Sequence, residues 1–170
     1  FLIDCGHDSV LDTLGAWKGE EKFSQVEGCW VTHYHDDHVD ALHHLAASMP
    51  VPIYADEHLA EILTHPARFL LPCISPAAAP VTHATTHGET WRWHEFELTA
   101  LHLPGQTFYH GGLLLRGHGV TVLFSGDSFS PSGLDDYTAG NRNFLGAGLG
   151  FPRCIVLLLQ YRPDLIPNQH

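Results

Sequence analysis

Basic side chains are scarce in this sequence, which has eight lysines and arginines among 170 residues against nineteen aspartates and glutamates. The net charge of -11 offers no basic surface that could neutralise a nucleic-acid backbone, so we expect no nucleic-acid partner. Long apolar runs are also missing, and no stretch approaches the roughly 18 apolar residues that a membrane-spanning helix needs. The composition therefore predicts a soluble protein without a membrane partner, which we assign to the cytoplasm.

Cysteine is sparse as well, and the four cysteines form no CxxC pair. Because a chain of this length can bury a core without disulfides, we interpret all four as reduced and mostly buried thiols. They are Cys5, Cys29, Cys73 and Cys154. The sequence also lacks a starting methionine and a leader pattern and opens on a strand-like segment, from which we expect an N-terminal segment to be missing.

Histidine, in contrast, is abundant: fifteen histidines outnumber all the lysines and arginines together. Histidine is the commonest metal ligand in proteins, so this excess is the first indication of function. With 44% hydrophobic and 11% aromatic residues the chain falls within the globular range. No repeat or low-complexity linker divides it, and residues 1–170 are interpreted as a single domain.

Predicted strands and helices alternate along the chain. We predict helices over residues 10–17, 39–48, 56–64 and 152–161. Strands are predicted over residues 2–5, 26–32, 52–55 and 164–166, with a strand pair within 90–103 and a hairpin over 110–126. This mixture is typical of a layered α/β domain.

The most informative segment, residues 32–38, reads THYHDDH and lies between a predicted strand and a predicted helix. In an extended segment residues i and i+2 project to one side, so His33 and His35 can bind one ion together. At the turn into the helix, Asp37 and His38 can reach a second ion, and the ions of two-metal sites lie about 3.5–4 Å apart. A helix cap needs one polar side chain and explains none of these histidines.

The pattern His33-x-His35-x-Asp37-His38 after an apolar strand resembles the HxHxDH signature of the metallo-β-lactamase-fold hydrolases. Further segments resemble the remaining motifs of that family in the same order along the chain. They are Asp4-Cys5-Gly6 for D-x-G, Pro104-Gly105-Gln106-Thr107 for P-G-H-T, Ser125-Gly126-Asp127 for S/T-G-D, and His170 for the final histidine. The aspartate of the S/T-G-D segment favours the glyoxalase II-like branch over the true β-lactamases.

The resemblance implies an αββα sandwich, of which this chain is a fragment lacking the first N-terminal strands. It also implies a dinuclear site with two zinc ions, with iron or manganese as other candidate metals, and Asp127 as the bridging carboxylate. The implied metal ligands are His33, His35, Asp37, His38, His110, Asp127 and His170. Asp40 is interpreted as a partner that orients His38 or His35.

Gln106 departs from the family pattern, because a histidine normally stands at this position and completes the first metal site. A glutamine amide oxygen is a poorer zinc donor than an imidazole nitrogen. Three alternatives stay open, in order of preference: His110 replaces the missing ligand, Gln106 binds weakly through its oxygen, or water fills the position. Each alternative predicts a different number of bound ions.

The implied function is a metal-dependent hydrolase that uses a metal-bound hydroxide to attack a small ester, thioester, lactone or similar substrate. Asp37 and Asp127 are the candidate catalytic residues, because a carboxylate can orient the attacking water and carry its proton. Tyr137 and Arg142 lie on a glycine-containing loop and are candidate substrate contacts. The alternatives are a mononuclear iron oxidoreductase resembling the persulfide dioxygenases and a degenerate, non-catalytic metal-binding domain, which Gln106 would favour.

Overall fold

Two units, Phe1–Ala84 and Thr85–His170, make up the computed structural model of the protein, which describes residues 1–49, 51–129 and 150–167. Each unit contains its own four-stranded sheet together with helices, so the prediction of a mixed α/β protein is confirmed. The interpretation of residues 1–170 as one domain stays a prediction. Among the described residues, no helix has both the length and the apolar character needed to cross a membrane.

The first unit has a sheet with the order β1-β2-β3-β4. Its strands are β1 (Leu2–Ile3), β2 (Cys29–Val31), β3 (Ile53–Asp56) and β4 (His83–Thr85), and the predictions included the first three. β2 pairs in parallel with both β1 and β3. Parallel neighbours end at the same sheet edge, so the residues that follow β1 and β2 lie side by side. This edge carries the first group of candidate ligands.

The helices of the first unit are α1 (Ser9–Gly19), α2 (Asp36–Val39), α3 (Leu42–Ser48) and α4 (Glu57–Thr64). The single helix predicted over residues 39–48 is wrong in its bounds, because α2 begins inside the histidine motif and ends before α3. The physical reason is a competing hydrogen bond: the backbone N–H of Ala41 donates to the carbonyl of Gly6 instead of continuing the helix. Gly6 permits this approach, since a Cβ there would overlap the carbonyl oxygen of Asp37.

The second unit contains four antiparallel strands in chain order. They are β5 (Thr90–Trp93), β6 (Phe96–His102), β7 (Gly111–Gly117) and β8 (Val120–Phe124), as the predicted strand pair and hairpin require. Helix α5 (Phe151–Tyr161) also agrees with its prediction and packs Leu158 and Tyr161 against the buried leucines of the sheet. The strand predicted over residues 164–166 is reduced to one bridge between Leu165 and Val122.

The cysteines divide into three buried thiols and one exposed thiol, Cys73. Burial raises the pKa of Cys5 to about 11 and that of Cys154 to about 12. Burial also raises the pKa of Cys29 well above its ordinary value. The thiolate is the form of cysteine that reacts with thiol reagents. These three side chains are therefore protected from such reagents, because they are inaccessible and because they stay protonated at pH 8.

We therefore expect N-ethylmaleimide at pH 8 to modify one thiol per native chain rapidly, as counted by mass spectrometry. Cys73→Ser should remove this fast reaction, and unfolding in denaturant should expose all four thiols of the wild-type chain. A second thiol that reacts as fast as Cys73 in the native protein would contradict the burial described above.

Candidate metal centre

The first group of candidate ligands is built on Asp4, which follows β1, and Thr32, which follows β2. The backbone N–H of Thr32 donates to Oδ1 of Asp4 over 2.7 Å, and the hydroxyl of Thr32 donates to Oδ2 over 2.7 Å. Both residues are buried, and Asp4 has a φ of 61°, in the left-handed region that aspartate tolerates better than most residues. The carboxylate of Asp4 therefore fastens the ends of two parallel strands together.

Asp4 also orients an imidazole, because its Oδ2 lies 2.8 Å from Nδ1 of His38 on α2. The hydroxyl oxygen of Thr32 lies 3.0 Å from Nδ1 of His33. Since that hydroxyl gives its own proton to Asp4, it accepts the Nδ1 proton of His33, and the lone pair of the His33 ring is on Nε2. Metal-binding histidines characteristically donate their second ring N–H to a carboxylate or another oxygen in this way.

Three imidazoles are crowded together in this part of the first unit. The ring centroid of His33 lies 4.5 Å from that of His35 and 4.2 Å from that of His38. All three side chains are at most 4% exposed, whereas Asp37 is exposed and its Oδ2 lies 3.9 Å from Nε2 of His38. Clustered imidazoles beside a carboxylate are the donor set that zinc and similar divalent cations prefer, so these residues fit a metal.

The backbone of the histidine motif, residues 32–38, also contacts residues 73 and 74. His35 forms an isolated antiparallel bridge with Ile74, and the backbone N–H of Asp36 donates to the carbonyl of Cys73 over 2.9 Å. His35 itself has an extended conformation, with φ -63° and ψ 145°, directly before α2. The motif is thus fixed from the sheet edge and from this segment.

The second group of candidate ligands lies in the second unit. Asp127 is part of a short 3-10 turn, Gly126–Ser128, that follows β8. Gln106 belongs to the loop between β6 and β7, and its Nε2 donates to Oδ2 of Asp127 over 3.0 Å. His110, at the end of the same loop, is fully buried, and its Nδ1 lies 3.5 Å from the hydroxyl of Ser128.

The structure brings the predicted site residues into two groups, one in each unit. His33, His35, Asp37 and His38 belong to the first group, and His110 and Asp127 to the second. Their assignments as metal ligands, and those of Asp37 and Asp127 as catalytic residues, stay predictions. The remaining predicted site residues, Tyr137, Arg142 and His170, lie outside the described residues.

One contact of the first group differs from the sequence-based interpretation. The carboxylate beside Nδ1 of His38 is that of Asp4, and the backbone oxygen of Asp40 instead lies 2.8 Å from Nδ1 of His43. Sequence reasoning did not identify this role of Asp4, although the D-x-G segment was a signal for it. The role of Thr32 was missed because nothing in the local pattern distinguishes it from any strand threonine.

Comparison with known proteins agrees with this architecture. The sequence profile of the Beta-lactamase superfamily domain matches residues 1–135. The chain is 29% identical over 133 residues to a hydroxyacylglutathione hydrolase of Aeromonas hydrophila, covering 78% of this chain and 43% of that protein. A hydroxyacylglutathione hydrolase of Aeromonas salmonicida is 29% identical over 125 residues, with coverages of 73% and 39%. The chain thus spans less than half the length of these curated relatives.

Solved structures resemble the chain over almost its whole length. A metallo-beta-lactamase with the HARLDQ motif from Cronobacter sakazakii has a TM-score of 0.76 at 18% identity, covering 96% of this chain and 61% of that one. The metallo-beta-lactamase MIM-1 from Novosphingobium pentaromativorans has a TM-score of 0.76 at 16% identity, covering 99% and 65%. At such identities the similarity shows the fold alone, and it confirms the predicted metallo-β-lactamase-like fold.

The similarity to hydroxyacylglutathione hydrolases also agrees with the predicted relationship to the glyoxalase II-like branch. The profile match extends from the D-x-G segment through the histidine motif to beyond Asp127. The chain therefore belongs to the family of the Beta-lactamase superfamily domain.

Proposed function

We propose that this chain is part of a metal-dependent hydrolase that cleaves a small thioester, ester or lactone. The observation that carries the proposal is the buried cluster of His33, His35 and His38, in which Thr32 orients the ring of His33 and Asp4 orients that of His38. Such an arrangement is typical of metal ligands supported by oxygen partners. A thioester is the preferred substrate because the curated relatives are named hydroxyacylglutathione hydrolases.

The proposed ligand set holds two zinc ions, with iron or manganese as other candidates. It comprises His33, His35, Asp37, His38, His110, Asp127 and His170. When bound, the ions would polarise the substrate carbonyl and lower the pKa of coordinated water to about 7. The cytoplasmic location assigned from the composition is part of the same proposal.

The protein itself supplies orientation and proton transfer in this mechanism. Asp4 fixes His38, and the hydroxyl of Thr32 fixes His33, so that neither ring has to reorganise during the reaction. Asp37, with a side chain 43% exposed, and Asp127 orient the attacking water and accept its proton. That proton then passes to the departing thiolate or alkoxide, which completes the hydrolysis without a covalent intermediate on a serine or cysteine.

The test is hydrolysis of a panel of chromogenic thioesters, esters, lactones and phosphodiesters by the 170-residue chain. We expect turnover of at least one carbonyl substrate, loss of that turnover in a strong chelator, and its return when zinc is added in excess. Zinc-loaded protein that hydrolyses none of these carbonyl substrates would contradict the proposal and favour a non-catalytic metal-binding domain. Oxygen uptake by iron-loaded protein with a persulfide would instead indicate an oxidoreductase.

A further inference from the structure

We propose that Gln106 is a positioning residue, which orients the carboxylate of Asp127 for metal binding and is not itself a metal ligand. The inference rests on the proposed function, because it concerns how Asp127 is presented to the cation. It excludes one of the three alternatives that the sequence leaves open, in which Gln106 binds the metal through its oxygen. All the contacts that support it lie within the second unit.

The backbone brings Gln106 to Asp127 through a closed loop. The backbone N–H of Leu103 donates to the carbonyl of His110 over 2.8 Å, which joins the two ends of the loop between β6 and β7. Antiparallel pairing of β6, β7 and β8 places this loop and the turn after β8 at the same edge of the sheet. Helix α5 stabilises the base of the loop, since Cys154 and Leu157 pack on Leu103.

The loop and the turn then approach each other at Gly105. A Cβ at this position would overlap the hydroxyl of Ser128, so only glycine allows this close contact. The hydroxyl of Ser128 in turn donates to the carbonyl of Leu103 over 3.4 Å. Gln106 and Asp127 are the neighbours of these two contacting residues, and their separation is therefore fixed by the backbone.

The chemistry of the two side chains determines which atoms meet. An ionised carboxylate can only accept hydrogen bonds, so Gln106 must present its NH2 group to Asp127, and Nε2 lies 3.0 Å from Oδ2. Gln106 is 3% exposed, so water competes little for this hydrogen bond. The amide thereby holds one carboxylate oxygen and sets the direction of the other.

A variant that differs from wild type in one side-chain group distinguishes positioning of Asp127 from direct metal ligation by Gln106. In Gln106→Glu the NH2 group becomes an oxygen, so the side chain can no longer donate to Asp127 and repels it. If Gln106 were an oxygen ligand, the same change would replace a weak amide donor by a stronger carboxylate donor. Positioning therefore predicts weaker zinc binding, whereas ligation predicts equal or tighter binding.

The experiment measures the affinity for zinc of the 170-residue chain by competition with a chromophoric chelator. We expect Gln106→Glu to bind zinc about 10- to 100-fold more weakly than wild type, the usual effect of losing a partner of a metal ligand. Gln25→Glu is the matched control, because Gln25 is exposed and the change adds the same negative charge. An affinity of Gln106→Glu equal to or tighter than that of Gln25→Glu would overturn the inference.

Unfolding midpoints with and without zinc distinguish positioning from a merely structural role. A structural role would lower both midpoints and leave the affinity for zinc unchanged, which would also overturn the inference. If Gln106→Glu does not fold, Gln106→Met removes the donor at similar volume, and an unchanged affinity in that variant would equally overturn it. Wild-type protein that binds no zinc would contradict the proposed function, whereas zinc-binding protein insensitive to these substitutions contradicts only the role of Gln106.

Discussion

Replacing His35 by alanine is expected to remove the stabilisation of the protein by zinc and to lower thioester hydrolysis by more than about 100-fold. Loss of an oxygen partner of a metal ligand typically costs about 10- to 100-fold, and loss of a ligand itself should cost more. His35 is 4% exposed and lies beside the ring of His33, so another side chain cannot replace it without moving the motif. Thermal unfolding with increasing zinc, together with initial rates of hydrolysis, measures both effects.

The matched control is His65→Ala, because His65 is exposed and lies outside the histidine cluster. At a zinc concentration about 100 times its dissociation constant, a ligand that binds only the native state stabilises it by about 2.7 kcal/mol. We expect that increment in wild type and in His65→Ala and its disappearance in His35→Ala. If His35→Ala kept both the zinc-dependent shift and the hydrolysis rate of the control, His35 would not be a metal ligand.

The second large effect is expected at Asp4, whose carboxylate accepts from the backbone and hydroxyl of Thr32 and contacts Nδ1 of His38. Asp4→Ala leaves these buried groups without their acceptor, and leaving such groups unsatisfied costs about 1–3 kcal/mol each. Partial compensation makes about 2–4 kcal/mol a reasonable total for the loss in free energy of unfolding. Urea unfolding of metal-free protein tests this value, and zinc affinity should fall by about 10- to 100-fold.

Two further variants identify the cause of the effect at Asp4. Alanine adds backbone strain because Asp4 has a φ of 61°, whereas asparagine tolerates this region, so Asp4→Asn isolates the loss of the second acceptor oxygen. Asp12→Ala, on the exposed surface of α1, controls for removal of one negative charge. Wild-type zinc affinity in Asp4→Asn and Asp4→Ala would show that Asp4 does not orient His38.

Much of the fold follows from patterns that are local in the sequence. The amphipathic stretches that form α4 and α5 and the alternating stretches of β5 and β6 carry their own signals. The break between α2 and α3 does not, because it depends on a hydrogen bond between Ala41 and Gly6, which are distant in the sequence. The short strand His83–Thr85 was also not predicted, since three residues carry too little alternation.

The sequence was enough to predict which residues belong to the candidate site, but not which of them contact each other. The order of the family motifs identified the histidine cluster and Asp127, because those residues stand next to each other or next to a glycine turn. The contact between Asp4 and His38 joins residues 34 positions apart, and that between Gln106 and Asp127 joins residues 21 positions apart. Asp4 and His38 meet because the parallel neighbours β1 and β2 end at the same sheet edge. Gln106 and Asp127 meet because β6 and β8, which both pair with β7, end at the same edge of the other sheet. No local pattern contains either relation.

Elemental analysis of zinc-loaded, desalted protein shows whether the clustered histidines hold a divalent cation. We expect bound zinc in the wild-type chain and in His65→Ala, and none in a His33→Ala/His35→Ala double variant that retains its folded circular dichroism spectrum. Wild-type protein without zinc, or a double variant that retains as much zinc as wild type, would contradict it.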